Sequence, residues 1–447
     1  MIKNYPTKPI DKITQPVQRF IEQEKSGGLL LGISVIIALV LANSPFSAAY
    51  HHFLEQTFGF RWNGKVFFDF TLHHWINDGL MSIFFFVVGL ELKREIIGGE
   101  LSNPRKAMLP IVAAIGGMVM PALIFLLLNP SGEMHKGWGI PMATDIAFAL
   151  GVLFLLGKKI PLSLKVFLTA LAIVDDLGAV LVIAFFYTAD IEMTYLLIGL
   201  FILAIMYLGN KLGVRSIFFF AFLGICGVWT CFVISGVHAT IAAVLAAFTI
   251  PADVKIKETI FISKITNYLE AFKNIDPTEN NPTLTNDQLH VLEKINVATI
   301  AATPPLQRLE HAMHPIVTFV IIPVFAIANA GVSLDIDFYS LLDTNIALGV
   351  ALGLLVGKVL GVVGFTAIFI KLKIAKVPEG MTIKNLFGLG FLASIGFTMS
   401  LFVTSLAFTE EEYQTQAKIG IFAASIIGGI LGYIILNKNT ESSDDNE

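Results

Sequence analysis

The sequence predicts an all-α polytopic membrane protein with twelve transmembrane helices. Hydrophobic residues make up 55% of the 447 residues and charged residues only 14%, whereas soluble domains carry roughly 25% charged residues. The apolar residues form continuous runs, most of them close to the ~20 residues that a helix needs to cross a bilayer. These runs lack the two-residue alternation of outer-membrane barrel strands. The pattern therefore indicates the helical class of membrane proteins.

Twelve apolar runs follow one another along the chain. Their predicted limits are 28–44, 72–92, 107–128, 138–157, 162–187, 193–210, 216–232, 235–251, 313–333, 345–370, 383–408 and 416–436. The predicted organisation is an N-terminal segment 1–27, eight spans in 28–251, a loop 252–312, four spans in 313–436 and a C-terminal tail 437–447. The first run follows a long polar segment, so we interpret it as a retained span and not as a cleaved signal peptide.

The distribution of lysine and arginine orients these spans. Basic residues cluster on one set of connections, at Lys93–Arg94, Lys158–Lys159 and 371–376, whereas the opposite set carries acidic residues at 335–343 and 410–412. Short connections rich in lysine and arginine stay in the cytoplasm. An even number of spans then places both termini and the long second connection on the cytoplasmic side.

The first long connection, about 45–71, contains the sequence FGFRWNGKVFF. Asn63–Gly64 between aromatic and β-branched residues is a strong signal for a tight β-hairpin. Because this connection lies on the outer side, it predicts a small extracytoplasmic β-hairpin. Exposed strand edges can pair with a second copy of the chain, which predicts a homodimer. An unpaired surface hairpin is the alternative.

The second long connection, 252–312, contains the polar stretch PTENNPTLTND and then a helical pattern that begins near Gln288. Leu289, Leu292 and Ile295 share one face of this predicted helix. The connection contains no catalytic motif, so we interpret it as a regulatory or spacer segment.

Two adjacent aspartates, Asp175 and Asp176, lie in the middle of the fifth apolar run. One charge at the bilayer centre costs at least ~2.5–3.5 kcal/mol, and each carboxylate disfavours ionisation of the other. Such a pair predicts a site that holds a cation or protons. A structural pair that a neighbouring lysine neutralises is the alternative.

The fourth and eleventh runs are both irregular. Span 4 reads HKGWGIPMATDIAFALGVLF, in which Pro141 precedes Thr144 and Asp145, and span 11 is the glycine-rich NLFGLGFLASIGFTMSLF. Proline removes a backbone donor from a helix. Interrupted spans in corresponding positions of two halves predict discontinuous helices around a site at mid-membrane. Glycine alone is a weaker signal, because it also allows close helix packing.

Helix ends inside the membrane carry partial charges that attract ions of opposite sign. Asp145 is the carboxylate available in span 4, and Lys358 is the one lysine or arginine well inside a span. Lys358 can serve as a structural counter-charge, as a proton carrier, or as both.

Oxygen ligands of this kind suit a hard cation such as Na⁺. Asp175, Asp176 and the Thr144 hydroxyl supply them, and protons compete for the same carboxylates. No nucleotide-binding fingerprint is found, so transport would use an ion gradient. We expect membrane lipid and monovalent ions as partners, with no cofactor and no nucleic acid. Cys226 and Cys231 indicate neither a disulfide nor a metal site.

Eight segments carry a resemblance to a known family. They read WINDGLMSIFFFVVGLELKREI, ATDIAFALGVL, ALAIVDDLGAVLVIA, SGVHATIA, RLEHAMHP, FAIANAGVSL, GKVLG and GFTMSLF. In these segments, which follow the family's order from about Gly28 to Tyr433, the chain resembles the bacterial NhaA sodium/proton antiporters. That family is itself a known case of inverted repeats and discontinuous helices.

The resemblance implies an inner-membrane protein with inverted repeats, with crossing discontinuous helices in spans 4 and 11, and with a dimer formed partly by the outer hairpin. It implies electrogenic exchange of two protons for one Na⁺ or Li⁺, activated at alkaline pH. The essential aspartates fall on Asp175 and Asp176, the supporting residues on Thr144 and Asp145, and a buried lysine that pairs with Asp175 on Lys358.

The family's pH-response residues fall on seven further positions. These are Glu91, Arg94, Glu95, His238, Glu310, His311 and His314. Structural alternatives exist: Glu91 and Arg94 are spaced for an ion pair at a helix end, His238 can be a satisfied core histidine, and Glu310 with His311 can be a solvated loop end. The loop before Glu310 is longer than the family's, which bears on the pH set point and not on the exchange reaction.

Three other functions fit parts of the pattern. An intramembrane aspartic protease needs one aspartate on each of two facing helices, whereas neighbours on one helix point about 100° apart; Asp145 with Asp176 is the pair that can mimic such a dyad. A passive channel would need no competition between ion and proton. An antiporter for another monovalent cation, such as K⁺, would use the same kinds of ligand.

Overall fold

The computed structural model describes residues 25–62, 65–157, 160–188, 191–275, 283–333, 345–374 and 381–444. Some predicted features lie outside these ranges. They are most of segment 1–27, the Asn63–Gly64 turn, Lys158–Lys159, part of the polar stretch in the second connection, and the acidic residues at 335–343. The regular structure in the described ranges is helical apart from one two-stranded sheet, which confirms the predicted helical class.

The helices alternate with short connections along the chain. They are α1 (Lys25–Ala42), α2 (Ser47–Glu55), α3 (Met81–Gly98), α4 (Pro104–Leu128), α5 (Ile146–Leu155), α6 (Leu162–Phe186), α7 (Met193–Lys211), α8 (Ile217–Ser235), α9 (Ala239–Thr249), α10 (Glu258–Lys273), α11 (Asn286–Ala302), α12 (Pro305–Asn329), α13 (Ile346–Lys371), α14 (Ile383–Ala393), α15 (Phe397–Ala407) and α16 (Glu411–Asp444). A short helix (Leu72–His74) and a π-helical segment (Trp75–Leu80) lead into α3, and a 3₁₀ helix (Glu133–Met142) precedes α5.

Among the described residues, eight helical segments are long and apolar enough to cross a membrane, and two bent pairs raise the number to ten. The helices bend by 109° between α1 and α2 and by 46° between α14 and α15. The other two predicted spans fall on α3, whose second half is charged, and on the 11-residue α9. Twelve membrane crossings therefore stay a prediction.

Capping side chains explain several helix starts. The Asn103 side chain accepts a hydrogen bond from the Arg105 N–H, directly before Pro104 opens α4. Thr285 and Gln288 form a reciprocal capping box at the start of α11. Such side chains bind backbone donors that have no partner within the helix. Helix ends deviate from the predicted spans because helices continue beyond the apolar part; α16 extends from Glu411 to Asp444, well past its predicted limits.

Glycines bring α4 and α13 into backbone contact. A Cβ added to Gly361 would lie 2.0 Å from the Gly116 carbonyl oxygen, so neither helix tolerates a side chain at this point. Small residues allow such close approach of membrane helices. Lys358 lies one turn before Gly361 on the same helix, and its side chain is fully buried.

The two strands of the predicted hairpin are present. Strands β1 (Thr57–Trp62) and β2 (Lys65–Thr71) pair antiparallel. A bulge lies opposite Gly59, where Phe68 adopts a positive φ of 55°. Bulges of this kind place two residues against one and increase strand twist. The Trp75 indole donates to the Phe58 carbonyl at 2.9 Å and stacks on Trp229, so aromatic contacts attach the hairpin to the helices.

The second connection contains more helix than predicted. In addition to the expected helix, here α11, residues 258–273 form α10, and the two helices pack together. On α11, Leu289 and Leu292 are exposed, whereas Val291 and Ala298 are buried. Both pairs have helical spacing, so the sequence pattern alone does not decide which of them is buried.

Candidate functional site

The breaks in the two irregular spans meet in the interior. Residues 143–145, between the 3₁₀ helix and α5, are extended and run beside the turn that joins α14 to α15. The Thr144 hydroxyl donates to the Ala393 carbonyl at 2.8 Å, and the Asp145 N–H donates to the Ile395 carbonyl at 2.7 Å. Broken backbone inside a membrane must find such internal partners, because lipid offers none.

Asp145 caps the start of two helices at once. Its Oδ1 accepts from the Phe148 N–H of α5 at 2.9 Å, and its Oδ2 accepts from the Thr398 N–H of α15 at 3.0 Å. The Thr398 hydroxyl donates to the same Oδ2 at 2.5 Å. A carboxylate is stabilised at helix N-termini, where free N–H groups and the helix dipole are both favourable. Asp145 therefore joins the two discontinuous spans.

The two neighbouring aspartates have different surroundings. Asp175 Oδ2 accepts from the Lys358 ammonium at 2.5 Å, and both side chains are fully buried. Asp176 is also fully buried, yet neither of its carboxylate oxygens has a hydrogen-bond partner among the described residues. Buried polar atoms normally have partners. Asp176 therefore has the unfilled oxygen positions that a cation or a proton can occupy.

A cavity of about 390 Å³ leads to Asp176. Asp145, Asp176 and Thr398 line one end of it, and Glu91 and Glu310 line it further along. Neither Asp175 nor Lys358 belongs to its lining. The cavity thus gives access to the unpaired aspartate and leaves the ion pair behind it, away from the opening.

An ion pair lies where this cavity meets a wider cleft of about 770 Å³. The Arg94 Nε donates to both carboxylate oxygens of Glu310, at 2.9 and 3.1 Å, and the Arg94 Nη1 lies 2.8 Å from Glu95 Oε1. Arg94 thus joins α3 to α12. Arg94 therefore pairs with Glu95 and Glu310, and not with Glu91 as the helix-end alternative required. Among the expected pH-response residues, His311 and His314 line the cleft beside this pair.

His238 lies apart from that group. Its Nε2 is 3.0 Å from the Tyr187 carbonyl oxygen, at the end of α6. The Tyr187 hydroxyl in turn donates to the Lys136 carbonyl at 2.6 Å and accepts from the Gly139 N–H at 3.1 Å. A chain of hydrogen bonds therefore links His238 to the 3₁₀ half of the broken span.

The structure adds residues that sequence reasoning did not single out. Thr398 binds Asp145, the Ser400 hydroxyl donates to the Ile140 carbonyl at 2.8 Å, and Tyr187 holds the 3₁₀ helix. The segment GFTMS carried a signal for the first two, because it places hydroxyl residues directly after the second break. In the parts of the chain that the structure describes, no cluster of three His, Cys, Asp or Glu side chains has the arrangement of a metal site. A bound Na⁺ would be cargo and not a resident metal.

Comparison with known proteins is consistent with this arrangement. A sequence profile of the family described as Na⁺/H⁺ antiporter 1 matches residues 18–436. The Na⁺/H⁺ antiporter NhaA of Oleidesulfovibrio alaskensis is 48% identical, over 96% of this chain and 95% of the relative. The Na⁺/H⁺ antiporter NhaA 2 of Syntrophotalea carbinolica is also 48% identical, over 95% and 97%. The NhaA of Wolinella succinogenes is 46% identical, over 94% and 92%. This chain belongs to the Na⁺/H⁺ antiporter 1 family.

Proposed function

We propose that this protein exchanges Na⁺, or Li⁺, for H⁺ across the bacterial inner membrane as a secondary active antiporter. The main support is the carboxylate of Asp176, which is buried, has unfilled oxygen positions and lines a cavity. The relatives of this chain are named Na⁺/H⁺ antiporters. The proposed exchange uses no cofactor and couples the movement of one ion to the gradient of the other.

Competition for the aspartates couples the two ions. Na⁺ binds the ionised carboxylate of Asp176, and the Thr144 hydroxyl and carbonyl oxygens near the helix breaks complete its shell of hard oxygen ligands. Protons bind the same carboxylate. When the side facing the site is acidic, the carboxylate is protonated and Na⁺ cannot bind; when it is alkaline, Na⁺ displaces the proton.

Asp175 and Lys358 supply the second part of this proposal. Because the two charges neutralise each other, the buried pair is stable while Asp176 is protonated. Na⁺ arriving at Asp176 and Asp175 would compete with the Lys358 ammonium for Asp175. This competition favours release of a proton from the ammonium, in addition to the proton released from Asp176. Two protons would then leave for each Na⁺ that binds, and the exchange would be electrogenic.

We infer alternating access for the transport cycle. In the predicted orientation, the described cavity opens toward the cytoplasm, since it ends at Glu310 and His314 on the side of the basic connections. We propose twelve crossings, two inverted repeats, and crossing of the two discontinuous spans at their breaks. The hydrogen bonds between residues 144–145 and 393–395 support this crossing.

We propose that the cluster at the mouth of the cavity controls the response to pH. Arg94, Glu95 and Glu310 form one ion-pair network there, with Glu91 on the inner side and His311 and His314 in the cleft. Any change that breaks the ion pair between Glu310 and Arg94 would loosen the contact between α3 and α12. His238 would act separately, through Tyr187.

Reconstitution tests the proposed exchange. Purified protein in proteoliposomes with an internal acid load should restore the fluorescence of a pH-sensitive dye when Na⁺ or Li⁺ is added, and more strongly at pH 8.5 than at pH 6.5. K⁺ with valinomycin present should change the rate if the exchange is electrogenic. Recovery with K⁺ alone would favour an antiporter for another cation. The absence of any cation-dependent proton movement would refute the proposal.

A further inference from the structure

A buried polar network joins α12 to the π-helical segment before α3. Asn329 Nδ2 donates to Asn77 Oδ1 at 2.8 Å and to the Phe325 carbonyl at 3.0 Å, and Asn329 Oδ1 lies 3.1 Å from His73 Nε2. Both asparagines are less than one-tenth exposed. The two donors and the acceptor of the Asn329 amide are thus all engaged, so any separation of these helices breaks several hydrogen bonds at once.

This network lies on the far side of the ion cavity from its opening. Phe84 of α3 and Ile322 of α12 line the cavity. Asn77 precedes Phe84 by two helical turns, and Asn329 follows Ile322 by two turns. Because two turns rise about 11 Å, both asparagines lie well beyond the cavity, on the outer side in the proposed orientation.

A layer of aromatic rings separates the network from the cavity. Phe85, Phe325 and Phe402 are fully buried. The rings of Phe85 and Phe402 have centroids 5.5 Å apart, and those of Phe325 and Phe402 are 6.3 Å apart. Phe402 follows the cavity-lining Met399 of α15 by one turn. Three helices therefore contribute one ring each to an apolar layer between the cavity and the asparagine network.

We propose that the side chains of His73, Asn77 and Asn329 form the outer gate of the transporter. The amide network holds α3 and α12 together over the ring layer while the cavity is open to the cytoplasm. Opening to the outside separates Asn77 from Asn329 and lets the rings part. The inference rests on the proposed alternating exchange, and it assigns the closed outer side to particular side chains.

The local backbone is suited to such a movement. Asn77 lies in the π-helical segment Trp75–Leu80, and α12 contains a second π-helical segment at Val317–Ile321. π-Helical turns occur frequently at functional sites and tolerate local shifts of helix register. Each of the two gate helices thus has an irregular turn near the ring layer or the network.

Accessibility of a single cysteine tests the gate. Cys226 and Cys231 are first replaced by alanine, and Met399→Cys then places one thiol in the cavity, on the inner side of the rings. A membrane-impermeant maleimide is added outside right-side-out vesicles, and the labelling rate is measured. Asn329→Ala should raise this rate about five- to tenfold, because loss of one or two hydrogen bonds shifts a two-state population by about this factor.

Asn129→Ala is the matched control. Asn129 is also a buried asparagine that ties two spans together, since its Nδ2 donates to the Phe125 and Asn345 carbonyls, but it lies outside the gate. Its replacement should leave outside labelling at the parent rate. His73→Leu removes only the contact to Asn329 Oδ1, so it threatens folding less, and it should raise labelling about two- to threefold.

Two results would overturn the gate. One is outside labelling in Asn329→Ala and His73→Leu that equals the rate in Asn129→Ala; if Asn329→Ala fails to fold, His73→Leu decides alone. The other is outside labelling of the parent as fast as labelling from the cytoplasmic side. Protection of Met399→Cys by Na⁺ is measured in everted vesicles of the parent. Its failure would count against the ion site and leave the gate result intact.

Discussion

Asp175 and Asp176 show how adjacent residues on one helix acquire different surroundings. Their side chains point about 100° apart, so one faces Lys358 and the other faces the cavity. The paired carboxylate is compensated by a charge, and the unpaired carboxylate is left for a cation or a proton. Both residues could be selected from the sequence, because two aspartates in an apolar run are conspicuous. Which of them would be exposed to the cavity depends on where Lys358 lies.

Asp176→Asn should abolish Na⁺-dependent proton movement. The amide has nearly the same shape as the carboxylate but neither ionises nor offers a charged ligand, so the apparent Na⁺ affinity should fall by about 100-fold or more, or some 3 kcal/mol. Dye dequenching in proteoliposomes across a range of Na⁺ concentrations measures this change. Asp253→Asn is the control, because Asp253 is an exposed carboxylate paired with Arg215. Retention of exchange by Asp176→Asn would remove the central assignment.

Lys358→Ala should destabilise the protein in a manner that depends on pH. It leaves Asp175 buried without its counter-charge, and breaking one side of a buried ion pair costs about 3–5 kcal/mol. The cost applies only while Asp175 is ionised. The melting temperature in detergent should therefore fall most at alkaline pH and recover as the pH is lowered and Asp175 takes up a proton.

The double variant Lys358→Ala with Asp175→Asn isolates the interaction between these two side chains. If they act as an ion pair, the double variant should melt above Lys358→Ala at pH 8.5, because the uncompensated charge is gone. If the stability loss of the double variant equals the sum of the losses in the two single variants, the contact contributes nothing to folding.

At the scale of elements, the two discontinuous spans act as one unit. Asp145 caps α5 and α15 together, and residues 144–145 bond to the carbonyls of the second break. Pro141 and the glycines predicted the irregularity of each span. They could not predict that the breaks meet, because that contact depends on the packing of four separate segments. Tyr187, a residue at the end of an ordinary helix, carried no signal at all.

Tyr187→Phe tests the support of the 3₁₀ helix. The change removes one hydroxyl and leaves the ring stacked on Trp138, but it frees the Gly139 N–H and the Lys136 carbonyl. Each lost hydrogen bond costs about 1 kcal/mol. We expect a several-fold higher half-saturating Na⁺ concentration with little change in maximal rate. Tyr195→Phe on the exposed face of α7 is the control, and equal values for both variants would argue against a positioning role.

Glu310→Gln tests the ion-pair network at the mouth of the cavity. Glutamine removes the charge that pairs with Arg94, so the contact between α3 and α12 should be weaker at every pH. The activity of this variant should rise less steeply between pH 6.5 and 8.5 than that of the parent. Glu293→Gln, an exposed residue of α11 beside His290, should keep the parental profile. An unchanged profile in Glu310→Gln would exclude this carboxylate from the pH response.

For the whole molecule, the sequence predicted what local pattern determines and missed what depends on packing between distant segments. Continuous apolar runs predicted the helical class, and Asn-Gly between aromatic residues predicted the sheet, whose two strands are observed. The second connection was harder. Its exposed Leu289 and Leu292 have the same helical spacing as a buried face, and the sequence analysis did not predict α10. The cavity at Asp176 is lined by residues from several helices, so no single segment of the sequence predicts it.

We propose that the hairpin joins two copies of the chain. Its strands β1 and β2 form a sheet of two strands, and the edge of such a small sheet can pair with the backbone of a second copy. Deleting residues 58–67 should therefore lower the dimer fraction in detergent, as measured by light scattering after size exclusion. Because the hairpin is distant in sequence from Asp176 and takes no part in lining its cavity, the deletion variant should still exchange Na⁺ for H⁺ in proteoliposomes. A dimer fraction equal to that of the full chain would place the subunit contact elsewhere, and loss of exchange with dimers intact would indicate that the hairpin supports the transporting helices and not the partner.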